Sequence, residues 1–270
     1  MGANIMTTLS QAACTVLLCP DPAEKCRLTR AFAKDWAEGR ITELGDTTPP
    51  DRPARPERPV LLPFKEMPRR SYGGERGRVS LIHALAHIEL NAIDLGWDIV
   101  ARFTALALPR AFHDDWVRVA LDEARHFEML QDLMGRLGAA YGDLPAHDGL
   151  WQAAEKTADD LMARLAVVPM TLEARGLDTT PATMDKLSRN GDTMTPPALD
   201  IIFNDEINHV AAGVRWFTFL ADRRGMDAKA AFHAVMAQRY PAGLKGPFNH
   251  EARARAAYPR DWYEELDRNR

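Results

Sequence analysis

Two segments of this chain read Asp-Glu-x-x-His: Asp122 to His126 and Asp205 to His209. In a helix, residues three apart lie one turn apart on the same face, so each segment offers a carboxylate and an imidazole side by side. Fifteen glutamates and eight histidines scattered at random give fewer than one such pair, and these are also the chain's only two Asp-Glu dipeptides. A lone glutamate precedes each segment: Glu89 lies 34 residues before Glu123, and Glu173 lies 33 residues before Glu206. Two helical hairpins therefore repeat one plan, and a fold that satisfies it must be helical.

The phase turns these groups inward. Glu89 shares its face with Ile82, Leu85, Ala86, Ile93 and Gly96, and Glu123 shares its face with Trp116, Val119, Ala120 and Leu130. Glu173 sits with Met162, Ala166, Met170 and Gly176, and Glu206 with Leu199, Ile202, Phe203 and Gly213. Each buried carboxylate costs several kcal/mol if left uncompensated. Two divalent cations neutralise four of them, and His126 and His209 complete a mixed oxygen and nitrogen donor set suited to iron or manganese. The expected ligands are Glu89, Glu123, His126, Glu173, Glu206 and His209, projecting into a four-helix bundle that holds two metal ions. Asp122 and Asp205 are candidates to accept from the N–H groups of the ligand imidazoles, and they read equally well as helix-surface aspartates. His83 and His87 stand one turn apart, but their face is turned roughly 120–160° from Glu89, so packing is expected of them rather than ligation. Pro169 removes an intrahelical bond and is expected to kink its helix beside Glu173.

The rest of the chain supports an all-α, single-domain organisation over residues 1–270. Residues 1–48 read as one or two helices, with Asp21-Pro22 as a helix start and Gly39 as a stop. Residues 49–70 carry seven prolines interleaved with Arg52, Arg55, Arg58, Arg69 and Arg70, a pattern that excludes helix and favours an extended strap. The arginines invite a nucleic-acid reading, but a solvated or surface-pinned strap is the simpler one. Residues 71–225 form the core, with helices expected at about Val79–Leu106, Asp114–Leu137, Leu150–Arg175 and Pro197–Arg224, and a shorter one at Ala182–Arg189. Residues 226–270 add two or three further helices.

A net charge of −4 exerts no global pull toward nucleic acid or anionic membrane. Cys14, Cys19 and Cys26 are too sparse for a disulfide framework and fit a reducing compartment as buried or half-buried helix residues. The apolar run from Ala12 to Leu18 is too short to span a bilayer and lacks a basic flank, so no membrane partner and a cytoplasmic location are expected.

The paired motifs resemble the ferritin-like di-metal carboxylate superfamily. From about Ala12 to Leu266 the chain also resembles one bacterial branch, the domain-of-unknown-function 455 family. The passages HALAHIELNAIDLGWDIVARF, DEARHF, VVPMTLEARGLD, DEINHVAAGVRWF and GPFNHEARARA carry the likeness. The resemblance implies a ferritin-like four-helix bundle with extra N- and C-terminal helices and two metal ions, iron, manganese or one of each. It implies that Glu89 and His126 serve one ion, Glu173 and His209 the other, and that Glu123 and Glu206 bridge. The activity so implied is that of an O2-activating oxidoreductase or hydroxylase, with dioxygen and a small or flexible molecule as its partners. Similarity to tRNA-modifying di-iron hydroxylases of the superfamily would make tRNA the substrate, and only the arginine-rich strap speaks for it. An iron-binding ferroxidase or storage protein and a metal-stabilised interaction module are the alternatives. The segments outside the core suit the walls of a substrate pocket or a homodimer interface.

Overall fold

Asp21 accepts a hydrogen bond from the Glu24 N–H at 2.7 Å, and Pro22 occupies the first helical position, where its missing N–H costs nothing. This is the helix start expected from the sequence, and it opens α2 (Pro22–Ala37), which follows α1 (Leu9–Leu17). Gly39 lies just past the end of α2 with φ +72°, a conformation that favours glycine. The computed structural model describes residues 7–68 and 74–268, so Arg69 and Arg70, at the end of the expected strap, lie outside the described residues. Among the described residues the chain is helical, with two isolated bridges and no strand. No helix among them is long and apolar enough to cross a membrane. The chain divides into two compact units, Met1–Trp151 and Gln152–Arg270.

The first unit is built on a hairpin of α3 (Gly74–Arg102) and α4 (Arg110–Arg136), which pack along their lengths. Gly96 makes this close packing possible, since a Cβ there would lie 3.0 Å from the Cβ of Ala120. α1 lies against α3, and α2 against α4. The strap is held on this scaffold by its arginines. Arg55 pairs with Asp94 and Asn91 of α3, Arg52 pairs with Asp148, and Arg102 of α3 donates to the Pro50 carbonyl at 2.8 Å. Lys25 of α2 also bonds Asp94, and both side chains are almost wholly buried.

The second unit departs from the expected single helix over Leu150–Arg175. That stretch is α5 (Gly149–Glu155), a break, α6 (Leu161–Val167), a π-helical segment at Val168–Glu173, and α7 (Ala174–Arg189). Asp160 starts α6 afresh by accepting from the Met162 N–H, and buried Arg164 ties the broken ends together through Ala154 O and Thr157 Oγ1. Pro169 has no N–H, and the helix widens there: the Ala174 N–H bonds Pro169 O, five residues back. The expected kink is thus a widened turn that keeps the axis running into α7. Gly176 does not end the helix, since a Cβ there would meet nothing and ordinary helical geometry continues past it. Pro181 inside α7 leaves the Leu177 carbonyl without its usual N–H, and Asn249 Nδ2 donates to it at 3.1 Å.

α8 (Thr195–Arg223) packs on α7, and Asp192 accepts from the N–H groups of Met194 and Thr195 at its start. Pro196 and Pro197 fall in its first turn, where proline is tolerated, so the helix begins slightly before the expected Pro197. α9 (Ala228–Arg239), α10 (His250–Arg255) and α11 (Arg260–Glu264) complete the chain, in keeping with the two or three expected. α10 lies against α7 and α8.

Candidate metal centre

Seven residues after Glu89, Gly96 lets α4 approach α3 closely, and the contact with Ala120 lies one turn from Glu123. This brings the inward faces of the two helices together. Glu89 is 3% exposed, while Glu123 and His126 are fully buried. Glu89, Glu123 and His126 each offer a ligand atom, and those atoms lie within 4.8 Å of one another. His126 Nδ1 is 3.3 Å from Glu89 Oε2 and 3.4 Å from Glu123 Oε2. Two ligands about 2.1 Å from one metal stand roughly 3.0 Å apart at a right angle and about 3.4 Å apart at the tetrahedral angle. The spacing of these three donors therefore fits a common cation.

Without a cation the arrangement is electrostatically costly. Burial and the adjacent Glu123 carboxylate push the Glu89 carboxyl well above the usual range, and His126 opposes the rise only in part. Glu89 then keeps its proton at neutral pH and can donate it toward Glu123. A divalent cation replaces that proton and removes the like-charge repulsion.

The second unit holds the other three expected ligands. Glu206 and His209 are buried on α8, with His209 Nδ1 3.7 Å from Glu206 Oε2, so the second motif presents the same ring nitrogen to its own carboxylate as the first. Glu173 closes the π segment and is half-buried. Asp122 is half-buried and pairs with Arg125 at 3.4 Å, and Asp205 is also half-buried.

His83 and His87 are occupied elsewhere. His83 Nε2 accepts from the Gly142 N–H at 3.0 Å and its ring stacks on Tyr141. His87 Nδ1 bonds the Tyr141 hydroxyl at 2.8 Å, and burial pulls its pKa down to about 3. This is the packing role expected of them. The sequence reading missed the buried charges on the opposite face of α3, where Asp94 holds Lys25 and Arg55, and Asp98 holds Arg102. The i, i+4 spacing of Asp94 and Asp98 within an apolar helix was the available clue.

The family described as "Protein of unknown function (DUF455)" matches residues 18–264. The chain belongs to that family. A DUF455-length relative, an uncharacterised protein of Haemophilus influenzae, is 37% identical, with the match covering 97% of this chain and 96% of the relative. No solved structure matches significantly. Membership of DUF455 brings no assigned activity, so the chemistry must be argued from the residues. A buried Glu and His group able to hold a metal ion is their strongest feature.

Proposed function

We propose that Glu89, Glu123, His126, Glu173, Glu206 and His209 form a two-metal carboxylate centre in a ferritin-like four-helix arrangement, and that the protein is an O2-activating oxidoreductase. The observation that carries this reading is the buried trio Glu89, Glu123 and His126, whose carboxylates repel each other and share one imidazole nitrogen. Glu206 and His209 repeat the motif, and Glu173 supplies the lone carboxylate of the second hairpin. Iron suits the donors best, because carboxylate oxygen and imidazole nitrogen without thiolate favour iron or manganese over softer ions.

A pair of redox-active ions bound there supplies the electrons that reaction with dioxygen requires. The protein's contribution follows from its own residues. Glu89 gives up its proton when the site fills. Trp116, Ala120 and Leu130, buried on the Glu123 face of α4, exclude water from the trio. The π segment offers a helix with one widened turn beside Glu173, where a ligand can shift without breaking the helix. Elemental analysis of protein reconstituted with ferrous ion tests the reading: close to two ions per chain are expected, and a stoichiometry near zero overturns it. Mixing the ferrous protein with oxygenated buffer tests the activity. Rapid oxidation that saturates at two irons supports the oxidoreductase, and oxidation that continues well past two supports iron storage instead.

A further inference from the structure

The passage Gly246 to Ala256 forms no part of the metal ligand set, yet it docks tightly on α7. Asp178 accepts from the Asn249 N–H at 2.9 Å and from Arg253 Nε and Nη2 at 2.9 and 2.8 Å, a two-pronged pairing that is almost wholly buried. Arg175, one turn earlier, donates to the Lys245 carbonyl at 2.8 Å and so pins the preceding loop to the same helix. Between loop and helix lies a cavity of about 230 Å³ whose lining includes Arg175, Asp178, Lys245, Phe248, Arg253 and Arg268.

Charge is unbalanced in this cavity. Four cationic side chains face one carboxylate, an excess of three positive charges. The carboxylate is already committed, because Asp178 takes both donors of Arg253 as well as a backbone N–H. Arg175 reaches Asp178 only at 3.5 Å, and Lys245 and Arg268 make no ion pair among the described residues. Asp267, the nearest further carboxylate, faces the Gly246 N–H at 3.4 Å from outside the lining. The cavity also has an apolar side in Phe248 and the ring of Tyr240.

We propose that this cavity binds a small phosphorylated molecule, its phosphate held by Arg175, Lys245 and Arg268 and its organic part lying along Phe248 and Tyr240. A phosphate monoester carries about −1.5 to −2 charges at neutral pH, which matches the excess better than one carboxylate does. Arginine forks suit phosphate oxygens, and lysine adds a compact charge. At roughly 30 Å³ per water the volume equals about seven waters, room for a phosphate with a short organic group and too little for a polymer. The buried Asp178–Arg253 pair forms a fixed floor, so the rim residues need not be ordered by the ligand itself. Leu172 and Arg175 bracket Glu173 in sequence, so a ligand bound here touches the segment that bears a proposed metal ligand.

The test is calorimetric titration of the full-length protein with inorganic phosphate and with phenyl phosphate at constant ionic strength, using succinate as the carboxylate comparison. Saturable binding of one phosphate compound per chain is expected, phenyl phosphate binding more tightly than phosphate. The double variant K245A/R268A removes two rim charges and leaves the Asp178–Arg253 floor intact, so it should bind at least about tenfold more weakly. An unaltered melting temperature in the ligand-free variant shows that the fold is intact, and its unchanged metal content separates this result from the fate of the metal reading. Absence of saturable binding, equal binding by the double variant, or a preference for succinate over both phosphates each overturns the proposal.

Discussion

Pro169 lies so close to Gly213 that a Cβ on Gly213 would stand 2.9 Å from the Cβ and Cγ of the proline ring. α8 thus cradles the π segment at the one residue whose missing N–H starts the widening. Gly213→Ala must push the two apart. The expected loss is about 1–3 kcal/mol, typical of overpacking in a close-packed core. A lowered melting temperature together with reduced metal content is the expected result, since Glu173 closes the displaced segment. A variant that melts and loads metal like the parent would show that the π segment tolerates the shift.

Glu123 and Glu128 provide a controlled comparison on one helix. Glu123 is fully buried beside His126, whereas Glu128 reaches toward solvent and pairs with Arg30. Glu123→Gln should weaken metal binding by at least about tenfold, and Glu128→Gln should leave it nearly unchanged, as surface ion pairs contribute little. Equal losses, measured by titration with a competing chelator, would mean that the inward face of α4 is wrongly assigned.

Metal uptake should depend on pH through Glu89. Its carboxyl is raised far above the ordinary value of 4.5 in the folded protein. A raised carboxyl favours the metal-free fold fully below that ordinary value, and the advantage is lost as pH climbs toward the raised value. Metal binding must displace the proton, so affinity should rise with pH across the same range. Calorimetry in buffers of different ionisation enthalpy should record about one proton released per chain from this site.

His87 gives the acid side its own slope. Burial pulls its pKa to about 3 from an ordinary 6.5, so the neutral ring stabilises the fold above 6.5. That stability drains away as pH falls from 6.5 toward 3, at up to about 1.4 kcal/mol per pH unit. His87→Gln should flatten the fall in melting temperature between pH 6.5 and 4, while costing some stability at pH 7 through the lost Tyr141 contact. An unchanged slope would assign acid sensitivity to other groups, His113 among them, whose pKa burial pulls to about 4.

Asp94 should prove the most sensitive acid outside the metal site. Asp94→Asn leaves Lys25 and Arg55 facing a neutral amide in the interior, and breaking such a pair typically costs about 3–5 kcal/mol. Lys25→Met combined with Asp94→Asn should cost less than Asp94→Asn alone, because the stranded cation is removed too. Thermal melts of the single and double variants decide the point.

Much of this was legible in the order of residues. α3, α4 and α8 begin and end within a few residues of the ranges read from periodicity and glycine stops, since nothing outside each helix competes with its own pattern. The trio Glu89, Glu123 and His126 was legible for the same reason: helical phase alone places all three on apolar faces. The third core helix was not. Its break depends on Arg164 reaching Ala154 O, and its passage through Gly176 and Pro181 depends on Asn249, some seventy residues away. The partners of Asp94 were hidden likewise, because they come from α2 and from the strap. Periodicity reports which face is buried and says nothing of which distant side chain will meet it.

The π segment also makes length matter in a way that composition does not. A π turn is an α-helix carrying one residue more than its pitch accommodates. Deleting any one residue of 168–173 would let ordinary bonds close, and the local helix would be the sounder for it. Everything beyond would rotate by about 100°, taking Glu173 off its face and swinging Arg175 and Asp178 away from the Asn249 and Arg253 contacts that dock the tail. One deletion would thus repair the backbone and uncouple two distant parts of the unit, so substitutions along these six residues should be tolerated far more often than changes in their number.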